Sequence, residues 1–214
     1  MIKAILFDCD GVLINSEVYY LTQTVAWMNE AGYNVDEATI FPIIGTSMKR
    51  TCEILAQIAH SDPDTILKMN DDYFSKHPLP FKDIIKDGVM DTLHTLSLKG
   101  IRMAICSASP RKDLDEIMRQ TGFSRYIEYV ISGDELTESK PSGQIYLHAA
   151  DKLGVTPHQC LVIEDSSIGI QAGKNAGMRV IALHDPRIPA DQSMADVIIN
   201  HFGDILEYLS LIHI

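Results

Sequence analysis

The sequence predicts an α/β fold in which a Rossmann-like parallel sheet forms the core and an α-helical cap domain is inserted into it. Short apolar runs alternate with segments of helical periodicity through most of the 214 residues. Four of these runs end in polar or acidic residues, and one long stretch near the N-terminus has only helical patterns. Such alternation is typical of a parallel sheet with helices on both faces.

Six apolar segments are predicted to form the strands of this sheet. Each is short, nearly continuous in apolar residues and bounded by polar or turn residues, as expected for a strand that is buried on both faces. The segments are residues 3–7, 101–106, 126–131, 160–163, 179–183 and, as the shortest, 197–199.

Helices are predicted between the later strands and throughout the N-terminal insert. Between the strands, apolar residues fall on one helical face in residues 88–98, 111–120, 142–153 and 167–176. In the insert, helical periodicity covers about residues 17–31, 36–41, 47–59 and 63–75. We therefore expect a core domain of residues 1–15 and 81–214, and a helical cap domain of residues 16–80.

The composition limits the classes of partner. The chain has 29 acidic and 18 basic side chains, which give a formal net charge of -11 at pH 7. This charge repels phosphate backbones and anionic lipids, so we expect neither nucleic acid nor a membrane as a partner. A small phosphorylated metabolite is compatible with the chain if local cations or a metal offset the repulsion. The sequence carries no signal of oligomeric state.

Cysteine usage and the N-terminal segment predict a cytoplasmic location. The four cysteines form no Cys-x-x-Cys pair, so a zinc site is not expected and the thiols should be reduced. The apolar run at residues 3–7 is too short for a signal peptide or a membrane span. The cysteines are Cys9, Cys52, Cys106 and Cys160.

Polar side chains that could carry chemistry stand at or after the ends of the predicted strands. Ligands of open parallel sheets bind beyond the carboxyl ends of the strands, so these side chains should converge at one edge. This convergence is a stronger indication than any one of the motifs. The residues are Asp8, Asp10, Ser107, Lys140, Glu164 and Asp165.

The acidic residues predict a magnesium site. Asp8 and Asp10 are separated by one residue on a loop. Two carboxylates at such a short distance repel each other unless a cation or a proton lies between them. Asp165 could complete a set of hard oxygen ligands for Mg²⁺. The alternative is that Asp8 to Gly11 is a surface turn, but its place directly after a buried strand favours function.

The second and third polar segments predict a phosphate-binding site. Ser107, Ala108 and the backbone N–H groups near them precede a predicted helix, where such groups can hold a phosphate. A structural alternative is that Ser109 caps this helix, with Pro110 as the first helical residue. Lys140 could offset the negative charge of a phosphoryl group in its transition state, or else lie in a solvated loop.

Four segments resemble the motifs of the haloacid dehalogenase superfamily, in the family's order and spacing. They are Phe7 to Leu13, Cys106 to Ser109, Ser139 to Pro141 and Ile163 to Ile170. The set is most similar to the branch that holds β-phosphoglucomutases and sugar-phosphate phosphatases, which insert a helical cap after the first motif. The resemblance implies that residues 16–80 form this cap.

The resemblance also implies a role for each motif residue. Asp8 would be the nucleophile that accepts the phosphoryl group, and Asp10 would be the general acid and base. Ser107 and Lys140 would hold phosphoryl oxygens. Haloacid dehalogenases and phosphonoacetaldehyde hydrolases of the superfamily lack the second aspartate. The implied Mg²⁺ ligands are Asp8, the backbone carbonyl of Asp10, Asp165 and, as a further ligand, Glu164.

Several positions depart from the β-phosphoglucomutase pattern. Tyr20 stands about where those enzymes carry a histidine on the first cap helix. Met48 falls close to the position of a phosphate-binding arginine, although Lys49 and Arg50 are adjacent, and an asparagine of the second motif is replaced near Arg111. Tyr20, Lys49 and Arg50 are therefore candidates for substrate specificity, or else lie on a solvated helix face.

The preferred function is a Mg²⁺-dependent phosphatase that acts on a small phosphorylated metabolite, such as a sugar phosphate, through a phosphoaspartate. One alternative is a β-phosphoglucomutase, in which the phosphoryl group passes from the aspartate to a sugar hydroxyl. An alternative of another class is a catalytically silent binding or regulatory protein. The intact set of Asp8, Asp10, Lys140 and Asp165 argues against silence.

Overall fold

The computed structural model describes residues 1–44, 46 and 48–212. The chain divides into two compact units, one formed by Met1–Asn15 with Phe81–Ile214 and the other by Ser16–Pro80. Gly45 and Ser47, in the predicted cap domain, and residues 213–214, in the predicted core domain, lie outside the described residues.

As far as its residues are described, the first unit contains one six-stranded sheet in which every pair of neighbouring strands is parallel. The strand order is β3-β2-β1-β4-β5-β6. The predicted α/β fold with a parallel sheet is thereby confirmed. The strands are β1 (Ala4–Phe7), β2 (Arg102–Ser107), β3 (Tyr129–Ser132), β4 (Cys160–Glu164), β5 (Arg179–Leu183) and β6 (Val197–Ile199).

The register of the central strands brings the ends of three strands to one edge of the sheet. Phe7, the last residue of β1, pairs with Ile105 of β2 and Ile163 of β4. The ladder continues one step further, because the Asp8 N–H donates to the Ile163 carbonyl at 2.9 Å. Polar residues that follow β1, β2 and β4 therefore share the carboxyl edge, where parallel sheets bind ligands.

In its described residues, the helical unit contains four α-helices and an apolar core of its own. Asp36 and Asp62 cap two of them, each accepting a hydrogen bond from the backbone N–H three residues on. The second helix ends at Ile40 and passes into a 3-10 turn, one residue earlier than the periodicity predicts. The helices are α1 (Ser16–Glu30), α2 (Glu37–Ile40), α3 (Met48–Ala59) and α4 (Pro63–Lys76).

The described part of the sheet-containing unit has five further α-helices. Four of them agree with the predicted helices to within two residues at each end. The fifth, α9, is an element that the sequence analysis does not predict. The helices are α5 (Val89–Leu98), α6 (Arg111–Thr121), α7 (Gln144–Lys152), α8 (Ser167–Asn175) and α9 (Asp204–Ile212).

Close packing of helices on the sheet fixes the strands that carry the polar edge. All residues of β1 and β4 are buried. Gly173 lets α8 approach β5, because a Cβ atom at that position would lie 2.6 Å from Cγ2 of Val180. On the other side, the ring of Phe7 stacks on Phe202 with their centroids 5.7 Å apart. Among the described helices, none has the length and apolarity to cross a membrane.

Candidate active site

The loop after β1, residues 8–14 and here called the β1 loop, is a compact turn held by its own backbone. The Leu13 N–H donates to the Cys9 carbonyl at 2.8 Å, and the Gly11 N–H donates to the Ile14 carbonyl at 2.9 Å. Gly11 has a φ of +75°, and a Cβ atom there would lie 1.8 Å from Oδ2 of Asp165. Glycine is therefore required both by the backbone and by the carboxylate beside it.

Lys140 lies at the centre of the polar edge. Its ammonium donates to Oδ1 of Asp8 at 2.6 Å, to Oε1 of Glu164 at 2.6 Å and to the Cys106 carbonyl at 3.0 Å. The three N–H donors of a lysine thus meet three acceptors. The Lys140 side chain is 8% exposed. The alternative that Lys140 lies in a solvated loop is wrong, because the loop after β3 directs it into the site.

Glu164 is fully buried and its carboxylate is held on both sides. Oε1 accepts from Lys140 and from the hydroxyl of Tyr146 at 2.7 Å. Oε2 accepts from the N–H and the hydroxyl of Ser166 and from the Asp165 N–H. A Cβ atom on Gly169 would lie 1.8 Å from Oε1, so no larger residue fits there without displacing the carboxylate. Glu164 therefore orients Lys140.

Asp8 and Glu164 share the buried positive charge of Lys140, and this affects the pKa of each carboxylate. Burial raises the pKa of Asp8 to about 8, and the charges of Glu164 and Asp10 add to this effect while Lys140 opposes it. Burial also raises the pKa of Glu164, but the charge and hydrogen bond of Lys140 outweigh it and leave this pKa below its ordinary value. Lys140 therefore favours the charged form of Glu164 more than that of Asp8.

The acidic residues fit a divalent cation. Asp8, Glu164 and Asp165 each offer a carboxylate oxygen, and the three oxygens lie within 4.8 Å of one another in a buried position. Three buried carboxylates beside one buried lysine leave an excess of negative charge, which a hard divalent ion would offset. Because the oxygens of Glu164 already accept several hydrogen bonds, Asp8 and Asp165 are the better donors.

Asp10 and the second polar segment form a separate hydrogen-bonded group. Oδ2 of Asp10 accepts from the Ser109 hydroxyl at 2.5 Å and lies 3.5 Å from the Ser107 hydroxyl. The buried Ser107 in turn accepts from the Ser109 N–H at 3.0 Å. Ala108, between the two serines, is exposed. The two serine hydroxyls therefore orient the Asp10 carboxylate.

The interpretation of Ser109 as a helix cap is wrong. Helix α6 begins at Arg111, and Pro110 occupies the cap position with φ -55° and ψ 145°. The Ser109 hydroxyl is directed to Asp10 instead. The position of Ser109 two residues after Ser107, in the same short motif, is the only sequence signal that could have indicated its contact with Asp10.

Gln192 supports the acidic loop after β4 in a way that the sequence does not reveal. Its buried side-chain amide donates to the Asp165 carbonyl at 2.7 Å and to the Leu183 carbonyl at 3.0 Å. The Ser166 hydroxyl accepts from the Gly169 N–H and so caps α8 directly after Asp165. Asp165 is thereby fixed by a helix start on one side and a distant glutamine on the other.

The specificity candidates of the helical unit have contacts of their own. The Tyr20 hydroxyl donates to Oδ1 of Asn70 at 2.6 Å, and its ring stacks on Phe74 with centroids 4.7 Å apart. Lys49 is exposed on α3. Arg50 is exposed too and pairs with Glu53 one helical turn away at 2.9 Å. Tyr20 thus packs within the helical unit, and Lys49 and Arg50 are exposed on α3.

Comparisons with known proteins identify relatives of this chain. A profile of the family described as haloacid dehalogenase-like hydrolase matches residues 5–183. The chain is 27% identical over 181 residues to the phosphorylated carbohydrates phosphatase of Thermotoga maritima, with 84% of this chain and 83% of that protein covered. It is 32% identical over 187 residues to the chloroplastic protein SUPPRESSOR OF QUENCHING 1 of Arabidopsis thaliana, covering 85% of this chain but 18% of that longer protein.

A solved structure from Thermotoga maritima has the same fold. The protein, inferred to be a β-phosphoglucomutase, superposes with a TM-score of 0.84 over 99% of this chain and 100% of that chain. Its sequence identity to this chain is 23%, so the likeness concerns the fold alone.

The shared lysine leads to a prediction about stability. Without metal, Lys140→Met leaves Asp8 and Glu164 buried with no cation, so the free energy of unfolding at pH 7 should fall by about 3–5 kcal/mol. Urea unfolding in EDTA measures this. As the matched control, Lys174→Met removes a lysine that pairs with Asp196 at the surface and should cost less than about 1 kcal/mol.

The pH dependence of the same variant has a definite sign. Uncompensated buried carboxylates have raised pKa values in the folded state, so they stabilise it below their unfolded pKa of about 4 and lose that contribution as pH rises. The deficit of Lys140→Met relative to the unmodified chain should therefore shrink toward acid pH. A deficit that is small at pH 7, or that grows toward acid pH, would contradict the shared-charge description.

Proposed function

The chain belongs to the haloacid dehalogenase-like hydrolase family, and we propose that it is a Mg²⁺-dependent phosphatase that uses Asp8 as its nucleophile. The substrate would be a small phosphorylated metabolite, with a sugar phosphate as the first choice. The observation that carries the proposal is the buried ammonium of Lys140, which joins Asp8 to Glu164 at 2.6 Å on each side.

In the proposed first step, an oxygen of Asp8 attacks the phosphorus atom and the bond from phosphorus to the substrate oxygen breaks. The leaving oxygen takes a proton from Asp10, which leaves an aspartyl phosphate and a free alcohol. The placement of Asp10 supports this role, because serine hydroxyls orient its carboxylate.

In the proposed second step, a water molecule attacks the phosphorus atom and transfers a proton to Asp10. The bond between phosphorus and the Asp8 oxygen breaks, inorganic phosphate leaves, and both aspartates return to their starting states. Ser107, the Ala108 backbone and Lys140 would bind the phosphoryl oxygens. Lys140 already lies at the nucleophile, so binding of a phosphoryl group would add an acceptor close to its ammonium.

Magnesium would be held by Asp8, Asp165 and the backbone carbonyl of Asp10, with Glu164 as a further ligand or as the partner of Lys140. When bound, such an ion supplies positive charge for phosphoryl oxygens and for the carboxylates around it. The excess of buried carboxylates over lysine supports this choice, and a set of oxygen donors suits Mg²⁺ better than Zn²⁺.

The substrate class is argued from charge and from a relative. With a net charge of -11 the chain repels large anions, whereas a single phosphoryl group is offset locally at the site. The Thermotoga maritima relative is named a phosphatase of phosphorylated carbohydrates. Residues 16–80 would act as the cap that selects the substrate, and four buried free thiols suit a reducing, cytoplasmic location.

The alternatives are less well supported. A mutase would need a cap group that replaces water by a sugar hydroxyl, and Tyr20, at the position considered for it, already donates its hydroxyl to Asn70. A silent binding protein would have no need for the network of charges around Lys140. Burial of charges is costly, so a protein that does not use them gains nothing by keeping them.

The direct test is an assay with an aryl phosphate and with a panel of sugar phosphates in the presence of Mg²⁺. The unmodified chain should release phosphate, and exhaustive chelation with EDTA should remove the activity until Mg²⁺ is restored. Asp8→Asn should retain less than about 1% of the rate, because a neutral amide is a poor nucleophile toward phosphorus.

Asp91→Asn is the matched control, since Asp91 is an exposed aspartate of the first turn of α5. Its rate should equal that of the unmodified chain. Full activity of Asp8→Asn in a preparation free of contaminating phosphatase, or activity that survives chelation, would contradict the proposal.

A second prediction concerns proton transfer by Asp10. In Asp10→Asn, phosphorylation of Asp8 by an alkyl phosphate should slow by about 100-fold or more, because a poor leaving group needs the acid. An aryl phosphate leaves without much protonation and should lose far less. Single-turnover rapid quench measures this step directly. Ser109→Ala, which removes only a hydrogen bond to Asp10, should also lose more rate with the alkyl than with the aryl phosphate, but by a smaller factor. Equal losses of Asp10→Asn with both substrates would rule out the acid role.

A further inference from the structure

The chain segment that follows the helical unit brings an ammonium group to the β1 loop. Lys86 lies in this segment and donates a hydrogen bond from Nζ to the Gly11 carbonyl at 2.7 Å. Its side chain is 13% exposed, and Oδ2 of Asp185 lies 3.6 Å from its Nζ. Lys86 belongs to none of the four motifs, so neither the sequence nor the proposed mechanism assigns it a role.

Backbone hydrogen bonds fix the place from which the Lys86 side chain extends. The Lys86 N–H donates to the Leu13 carbonyl at 3.0 Å, and the Asn15 N–H donates to the Ile84 carbonyl at 2.7 Å. The segments before and after the helical unit are thus paired with each other in antiparallel fashion. Lys86 is thereby anchored to the end of the β1 loop by its backbone and to the middle of the loop by its side chain.

Gly11, whose carbonyl Lys86 holds, has little freedom to move. Gly11 has a left-handed backbone and lies directly against the carboxylate of Asp165, with no room for even a methyl group. It also follows Asp10, whose carbonyl forms a peptide bond with Gly11. A displacement of Gly11 would therefore move Asp10, Asp165 or both.

Asp185 holds the ammonium from the other side. It is nearly fully buried and bonds the guanidinium of Arg187 through both oxygens, at 2.8 Å and 2.6 Å. This pair keeps the Asp185 carboxylate in place beside Lys86. The charge of Asp165 acts on the same ammonium. A long, flexible lysine side chain thus has a defined position, which is what the support of a loop requires.

We propose that Lys86 is a positioning residue, which holds the β1 loop through the Gly11 carbonyl and so sets the geometry of Asp10 and Asp165. The inference rests on the proposed function and deepens it, since it names a support of the site outside the motifs. Lys86 acts through Gly11 and does not touch the phosphoryl group. Misplacement of reacting groups by about 1 Å can cost about 100-fold in rate, so its loss should be visible in turnover.

The test compares Lys86→Met with Lys82→Met, an exposed lysine in the same segment. We expect kcat of Lys86→Met with an aryl phosphate to fall by about 10- to 100-fold while KM stays within about twofold. The Mg²⁺ concentration that gives half of the metal-induced rise in melting temperature should increase several-fold. Lys82→Met should match the unmodified chain in all three quantities, and Lys86→Arg, which keeps the donors, should restore most of kcat.

A merely structural role predicts a different result. In that case Lys86→Met would lower the melting temperature without Mg²⁺ but leave kcat per folded molecule and the Mg²⁺ midpoint unchanged. This outcome would overturn the proposal. If Lys86→Met does not fold, Asp185→Asn decides: a several-fold loss of kcat supports the proposal and an unchanged kcat contradicts it. If the unmodified chain hydrolyses no phosphate ester, the proposed function fails, while the Mg²⁺ midpoints of the variants still test the role of Lys86.

Discussion

One buried ammonium group organises the polar edge of this protein. Lys140 donates to Asp8 and Glu164, which are 132 and 24 residues away from it in the chain. Buried charges are tolerated only where each is paired and hydrogen-bonded. The requirement is met only when the loop after β3 and the ends of β1 and β4 are all in place. The ion pairs of Lys140 therefore form only in a correctly folded sheet, and the proposed chemistry depends on them.

The neighbourhood of this group leaves little room for variation. Gly11 and Gly169 stand against the carboxylates of Asp165 and Glu164, at distances that exclude a side chain. Tyr146, fully buried on α7, both bonds Glu164 and places its ring 5.1 Å below the Lys140 ammonium. Small residues thus allow the carboxylates to come close, and larger ones fix their direction. The outcome is a rigid, negatively charged cluster that a divalent cation would complete.

The parts that could be predicted from the sequence depend on local pattern. Continuous apolar runs predict the strands of a parallel sheet, and the rule that ligands bind at the carboxyl edge predicts that Asp8 and Ser107 converge. The remainder depends on tertiary placement. Gln192 and Lys86 lie outside the recognised motifs, and only the folded chain brings them to Asp165 and Gly11. The direction of Ser109 toward Asp10 could not be predicted for the same reason, since a helix cap explained that serine equally well.

The two kinds of support have different consequences. Glu164 and Tyr146 act on Lys140 within the acidic cluster, whereas Lys86 and Asp185 act on the β1 loop at Gly11. Loss of a support in the first group removes one partner of a buried charge, and loss in the second leaves the charges paired but displaced. Stability and turnover should therefore respond differently to changes in the two groups.

The central claim is that Asp8 carries the phosphoryl group between substrate and water. Its most direct test is to mix Asp10→Asn with an excess of a radiolabelled aryl phosphate and Mg²⁺, to quench in acid, and to map the label by peptide mass spectrometry. A slowed second step should let the phosphoryl group accumulate, so the account predicts label on the carboxylate of Asp8. Phosphate release in the first turnover with no label on the protein, or label at another residue, would contradict it.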